Sequence, residues 1–133
     1  DGVPAANRVE GGKRPRSSMA PLIVFDPDGR LYAVTGSPGG SRIILFMVKT
    51  LVALIDWDMD ARESAALENF GSEGGPLQLE TGASDFWIAL VLKTYGHQVV
   101  HVAMTSGVHT IVRRDGHLEG GADPRREVAA LGD

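Results

Sequence analysis

Hydrophobic and polar residues alternate over several short runs of this chain, and three segments carry apolar residues at helical spacing. The short runs predict strands at residues 22–25, 31–35, 77–80, 98–103, 108–113 and 117–121. The other segments predict helices at residues 41–55, 60–67 and 84–95, with Asp60 and Ser84 as N-caps. This order favours an α+β fold in which helices pack on one face of a mostly antiparallel sheet.

The turns between these elements are also visible. Pro27, Asp28 and Gly29 predict a tight turn between the first two strands, which therefore form a hairpin. Residues 1–16 are polar and interrupted by Gly and Pro, which predicts a loop-like N-terminal segment, and residues 69–75 also predict a loop. The length of 133 residues suits a single domain over residues 1–133. Because the sequence begins at Asp1 rather than Met, we expect it to be a piece of a larger protein, made by processing or by design.

Composition narrows the classes of function. The net charge of −4 argues against nucleic acid as a partner, although residues 13–16 form a local basic cluster. The absence of cysteine excludes disulfides, iron–sulfur clusters and thiol nucleophiles. The longest apolar stretch, residues 43–55, is too short to span a bilayer. The four histidines follow no convincing metal-ligand pattern, so we predict no metal and no cofactor; they are His97, His101, His109 and His117.

The run GSPGGSRII at residues 36–44 carries the most chemical information. A predicted strand enters a glycine-rich turn that opens directly into a long apolar helix. Backbone N–H groups at such a helix start can bind a carboxylate, a phosphate or a developing oxyanion, which makes Gly39 and Gly40 candidate donors. The alternative is that the glycines serve only the sharp turn. Ser41 lacks the second glycine of a hydrolase elbow, and the lysine of a phosphate loop is missing, so neither site is predicted here.

Two further groups of polar residues are candidates. Ser17 and Ser18 precede the first strand, where adjacent hydroxyls can bind a carboxylate or can simply be solvated loop residues. Arg125 and Arg126 follow the last strand after Asp123 and Pro124. We favour a structural role for these arginines, in which they tie the C-terminal segment to the body of the domain.

Several of these motifs together resemble the small subunit of the γ-glutamyltranspeptidases. The first likeness is KRPRSSMAP at residues 13–21, followed by DPDGR at 26–30 and GSPGGSRII at 36–44. It continues through NFGS at 69–72, GP at 75–76, SGVH at 106–109 and GADPRR at 121–126. The likeness covers nearly the whole chain in order, and its first two motifs are far more specific than a single glycine pattern.

The resemblance implies a fold, an activity and roles for residues. The fold would be part of the αββα sandwich of N-terminal-nucleophile hydrolases, and this chain would be the C-terminal part of the small, catalytic subunit. In that family a precursor cleaves itself, and the freed threonine attacks the γ-glutamyl amide of glutathione; the acyl group then passes to water or an amine. Ser17 and Ser18 would bind the α-carboxylate, while Gly39 and Gly40 would form the oxyanion hole. Bacterial members are commonly exported, which implies a periplasmic or secreted protein.

The chain also departs from the family pattern. It has no N-terminal threonine, because all six threonines are internal: Thr35, Thr50, Thr81, Thr94, Thr105 and Thr110. An internal threonine lacks the free amino group that serves as its base. The acidic residue that holds the substrate amino group would lie upstream of Asp1, and Glu68 stands where proline is common. We therefore expect the chain to be inactive alone.

The resemblance also implies partners, and it leaves alternative functions. The implied partners are the rest of the small subunit, the large subunit, and glutathione or another γ-glutamyl compound. Without those subunits, apolar surface left uncovered would favour self-association. Two other functions remain open. One is a non-catalytic binding or structural module of the same scaffold, and the other is a related enzyme such as a cephalosporin acylase.

Overall fold

The computed structural model describes residues 2, 4–82, 85–126 and 128–131. Residues 4–21 contain no helix or strand. From there the described chain forms the following elements in order: β1 (Leu22–Phe25), β2 (Leu31–Gly36), a 3₁₀ turn (Gly40–Arg42), α1 (Ile43–Ile55), α2 (Ala61–Ala66), β3 (Phe70–Gly71), β4 (Leu77–Glu80), α3 (Asp85–Thr94), β5 (Val99–Val102), β6 (His109–Arg114) and β7 (His117–Ala122).

Four strands form an antiparallel sheet in the order β1-β2-β6-β7. The β1–β2 hairpin closes as predicted, because the Asp26 carboxylate accepts hydrogen bonds from the backbone N–H groups of Asp28 (3.0 Å) and Arg30 (2.8 Å). Leu22 pairs with Thr35, and His109 pairs with both Gly36 and Ala122. The start of β1, the end of β2, the start of β6 and the end of β7 therefore lie together, and we call this the glycine-turn end of the sheet.

The remaining strands form a second sheet in the order β3-β4-β5. Its β4–β5 pair is parallel, with Leu77 opposite Val99, while the other strand pairs of the described chain are antiparallel, in agreement with the mostly antiparallel arrangement that the sequence predicted. The cause of the parallel pairing is α3, which lies between the two strands in the chain and returns it so that both strands run the same way. The short strand β3 lies within residues 69–75, so the prediction of a loop there was wrong at Phe70 and Gly71.

The helices were predicted with small differences at their ends. The helix predicted from residue 41 opens with the 3₁₀ turn, and α1 begins at Ile43. The N-cap prediction for Asp60 is confirmed: its carboxylate accepts from the Glu63 N–H at 2.7 Å, and the Glu63 carboxylate accepts from the Asp60 N–H at 3.1 Å. Ser84, the predicted N-cap of α3, lies outside the described residues.

The core lies between the helices α1 and α2 and one face of the four-stranded sheet. Ala33 and Val112 are buried on that face against Leu54 of α1 and Ala61 of α2. A second cluster packs nearer the glycine-turn end and consists of Ile43, Phe46, Met47, Ala65, Met104 and Val108, with Ala20 and Leu22 against it. The opposite face of the sheet is apolar but exposed; it carries Ile23, Phe25, Val34 and Ile111. In the part of the chain that the structure describes, no helix is long and apolar enough to cross a membrane.

The contact between β7 and α2 gives a stability prediction. A Cβ added at Gly121 would lie 1.9 Å from the Ala61 carbonyl oxygen and 2.9 Å from the Arg62 nitrogen, and backbone atoms cannot move aside individually. We expect Gly121→Ala to lower the free energy of unfolding by about 3 kcal/mol, measured by denaturant unfolding. Gly75→Ala is the control, because no atom lies within 4 Å of its added methyl. Equal stability of the two variants would contradict this packing.

Candidate functional site

The glycine turn between β2 and α1 has the backbone conformation that its sequence indicated. Gly39 has a φ of 150° and Gly40 a φ of 60°, both in the region that favours glycine. The Arg42 N–H donates to the Gly39 carbonyl at 3.3 Å, and the Ile43 N–H donates to the Gly40 carbonyl. Within the described residues, the N–H groups of Gly39, Gly40 and Ser41 have no acceptor. They lie next to the positive end of the α1 dipole, where a negative charge is stabilised.

The two glycines are required for different reasons. A Cβ at Gly39 would lie 2.4 Å from a ring carbon of Phe46, whose side chain is buried in the core. A Cβ at Gly40 would meet no atom within 4 Å, so the space beside that residue is open. Packing against the core therefore fixes Gly39, while Gly40 faces a space that another molecule can occupy. The Arg42 side chain holds the end of the turn to the second sheet through Gln78, at 3.1 Å.

The structure brings the serine pair to the same end of the sheet. Ser17 is exposed and Ser18 half-buried, four residues before β1 begins. Leu22 pairs with Thr35 at the end of β2, and Ala20 packs against the cluster that includes Phe46. The Ser17 oxygen accepts from the Met19 N–H at 3.1 Å, and within the described chain its hydroxyl proton has no acceptor. The serine hydroxyls and the N–H groups of the turn without an acceptor in the described chain are thus candidate donors at the same end of the sheet.

Behind this end of the sheet lies a buried polar group that sequence analysis did not assign, and we call it the Asp123 cluster. Ser106 donates to one carboxylate oxygen of Asp123, and the Val108 N–H donates to the same oxygen at 3.2 Å. The Asn69 amide donates to the Ser106 hydroxyl at 2.9 Å. The cluster is completed by Arg125 and Glu80, and its members are Asn69, Glu80, Ser106, Asp123 and Arg125. The motifs around residues 69, 106 and 123 were visible as family matches, but no local pattern showed that they meet.

Arg125 has the tethering role that its sequence context favoured. Its guanidinium donates to the Asp123 carboxylate at 3.0 Å and to the two oxygens of Glu80 at 2.5 and 2.6 Å. The C-terminal segment is therefore bound to β4 in the other sheet. Burial by itself raises the pKa of Asp123, but hydrogen bonds from Ser106 and Arg125 outweigh it, so this pKa lies below its usual range. Asp123 consequently stays charged at neutral pH.

Lys49 is buried within α1 and is the one charged residue of the apolar stretch at residues 43–55. Its ammonium donates to the Leu67 carbonyl oxygen at 2.6 Å. Burial, with a smaller contribution from the positive charge of Arg125, lowers the pKa of Lys49 from 10.5 to about 8.

The four histidines lie at exposed positions, and the described residues contain no group of three or more His, Asp or Glu that could hold a metal ion.

Comparison with known proteins gives one consistent family. A family model described as γ-glutamyltranspeptidase matches residues 2–133. The glutathione hydrolase proenzyme of Escherichia coli is 41% identical over 123 residues, which are 90% of this chain and 21% of that protein. The acylase ACY 1 proenzyme of a Pseudomonas species is 34% identical over 116 residues, 86% of this chain and 20% of that protein.

The fold agrees with these relatives. The crystal structure of a mutant γ-glutamyltranspeptidase from Helicobacter pylori superposes with a TM-score of 0.78 at 30% identity. The superposition covers 93% of this chain and 69% of that one. The chain spans about one fifth of the length of the curated relatives that it matches.

The Lys49 ammonium predicts a specific pH dependence of stability. Since its pKa is lower in the folded state than in the unfolded state, the unfolded state binds more protons between pH 8 and 10.5. Stability contributed by this group therefore rises over that window, by about 3 kcal/mol in total. We expect the unfolding free energy of the wild type to rise relative to that of Lys49→Met over this range. The Leu67 oxygen keeps a partner in that variant, because Arg125 also donates to it at 3.2 Å. Parallel pH curves for the two proteins would contradict the prediction.

Proposed function

Because the chain belongs to the γ-glutamyltranspeptidase family, we propose that the protein it is part of acts as a glutathione hydrolase or γ-glutamyltransferase. Its reaction is cleavage of the γ-glutamyl amide of glutathione, with transfer of the acyl group to water or to an amine. The observation that supports this proposal is a glycine turn whose N–H groups have no acceptor within the described residues. It lies at the end of the sheet where Ser17 and Ser18 precede β1. The fold is part of the αββα sandwich of N-terminal-nucleophile hydrolases.

The glycine turn would serve as the oxyanion hole. When a nucleophile attacks an amide carbonyl, negative charge develops on the carbonyl oxygen, and donors already aimed at that oxygen stabilise the transition state more than the substrate. In our proposal the N–H groups of Gly39 and Gly40 are these donors. The open space at Gly40 supports the role, because a substrate carbonyl must come within hydrogen-bond distance of the backbone.

The serine pair would orient the acyl group. The α-carboxylate of a γ-glutamyl group is an acceptor of hydrogen bonds, and a hydroxyl bonded to a carboxylate makes a strong, charge-assisted contact. Within the described residues the Ser17 hydroxyl proton has no acceptor, so it is available for that contact. In this way Ser17 and Ser18 would hold one end of the substrate while the scissile carbonyl rests on the turn.

The remaining catalytic groups would come from other parts of the protein. An N-terminal threonine supplies both nucleophile and base in this mechanism, and the threonines here are internal. We infer that the chain alone is inactive and that its partners are the rest of the small subunit and the large subunit. The exposed apolar face of the four-stranded sheet, with Ile23 at 64% and Phe25 at 60% exposure, is the surface we assign to them. Export to the periplasm or beyond is proposed from the family alone.

A second candidate is an acylase that acts on another amide. It is favoured by the 34% identity to the acylase ACY 1 proenzyme. The glycine turn would suit either reaction, because every amide develops the same oxyanion. The serine pair distinguishes them, since it fits an acyl group that carries an α-carboxylate.

The serine pair gives a prediction about substrate selectivity in the mature protein. We expect Ser17→Ala/Ser18→Ala to raise KM for a γ-glutamyl anilide about a hundredfold, because two hydrogen bonds to a charged group are lost. An anilide of 4-aminobutyrate, which lacks the carboxylate, should be cleaved equally by both proteins. Release of the chromophore from each of the two anilides measures these rates for both proteins. If the wild type cleaves a different amide and neither anilide, the acylase hypothesis is correct instead.

The glycine turn gives a prediction about turnover. Gly40→Ala would place a methyl in the space proposed for the substrate carbonyl, and we expect kcat to fall about a hundredfold or more. Gly116→Ala is a matched control, because Gly116 also has a positive φ (83°) with no atom near its added methyl, but lies in the β6–β7 turn at the far end of the sheet. A similar kcat for the two variants would exclude Gly40 from the oxyanion hole.

A further inference from the structure

Ser37 connects the glycine turn to a distant part of the chain. Its oxygen accepts a hydrogen bond from the Gly107 N–H at 3.0 Å, and its hydroxyl donates to the Pro38 carbonyl oxygen at 2.8 Å. The two partners are separated by about seventy residues in sequence but lie against each other at the glycine-turn end. One hydroxyl therefore joins the loop after β5 to the peptide that precedes Gly39.

The peptide between Ser106 and Gly107 is held on both of its polar atoms. The Arg126 guanidinium donates to the Ser106 carbonyl at 3.0 Å, while the Gly107 N–H on the other side donates to Ser37. Gly107 is also closely packed, since a Cβ there would lie 2.6 Å from the Arg126 Cδ and 2.9 Å from the Pro38 Cγ. This peptide plane is consequently a fixed surface on which Ser37 and Pro38 rest.

The fixed surface is anchored in turn by the Asp123 cluster. Ser106 is completely buried, and its hydroxyl donates to Asp123 while accepting from Asn69. The Val108 N–H, on the other side of Gly107, donates to the same carboxylate. The residues on both sides of Gly107 are therefore bound to one buried anion. This holds the Gly107 N–H in the direction of the Ser37 oxygen.

From these contacts we infer that Ser37 is a positioning residue for the proposed reaction. Its hydroxyl locks the Ser37–Pro38 segment to the Ser106–Gly107 peptide, and this contact sets the directions of the Gly39 and Gly40 N–H groups. The core contact limits where the Gly39 backbone lies, and a fixed segment before the two glycines limits how their peptide groups rotate, which keeps the donors aimed. An error of about 1 Å in such a site can cost about a hundredfold in rate. The inference rests on the proposed function of the turn.

The test uses the complete mature protein and a γ-glutamyl anilide. Ser37→Ala removes both hydrogen bonds and should lower kcat about tenfold to a hundredfold while KM stays within about threefold, because the serine pair that binds the carboxylate is untouched. Ser37→Thr keeps the hydroxyl and should restore kcat to within about threefold. Thr94→Val is the control for loss of a hydroxyl bonded to a backbone carbonyl, since Thr94 donates to Val91 at the end of α3. The kcat and KM of this control variant should equal those of the wild type.

The outcomes separate the inference from the function on which it rests. If the wild type is active and Ser37→Ala keeps its kcat, or changes KM alone, the positioning role is wrong and the proposed function stands. If the wild type cleaves no γ-glutamyl amide, the proposed function fails first. Should Ser37→Ala give no mature protein, Gly107→Ala applies the same test, because its methyl would push on Pro38 from the other side. An unchanged kcat in that variant overturns the inference.

Discussion

Asp123 is completely buried, and a carboxylate in such a place must be surrounded by donors if it is to remain charged. It receives hydrogen bonds from the Ser106 hydroxyl, from the Val108 and Arg125 N–H groups, and from the Arg125 guanidinium. These donors come from the loop before β6 and from the segment after β7. Both ends of the β6–β7 hairpin are therefore fixed to one anion, and the glycine-turn end of the sheet is built upon it.

The same anion joins the two sheets through Arg125. The guanidinium that binds Asp123 also binds Glu80 at the end of β4, and the Asn69 N–H donates to Glu80 at 2.7 Å. Because these charged groups are shielded from water, losing one of them leaves its partners uncompensated. The distance between the sheets is thus set by directional contacts as well as by apolar packing. For the oxyanion hole that we propose, such support would keep the donors aimed, since directional bonds leave few alternative arrangements.

The features that depend on neighbouring residues were predictable from the sequence. The β1–β2 turn, the capping box at Asp60 and the glycine turn each depend on residues within a few positions of one another, and their side chains have known local preferences. The parallel β4–β5 pair and the Asp123 cluster were not predicted, because they depend on contacts between residues far apart in sequence, such as Ser106 with Asp123 (17 positions) and Glu80 with Arg125 (45 positions). Ser17 and Ser18 are an intermediate case, since their place at the sheet end follows from the hairpin but their chemistry came from resemblance.

In our proposal, the two glycines of the turn meet a structural and a chemical requirement with one motif. Gly39 is excluded from having a side chain by the ring of Phe46 behind it, and Gly40 has open space in front of it. The core contact fixes where the backbone lies, and the open face lets another molecule reach it. If the turn is the oxyanion hole that we propose, support from behind holds the donors in place and access from the front lets the substrate carbonyl reach them.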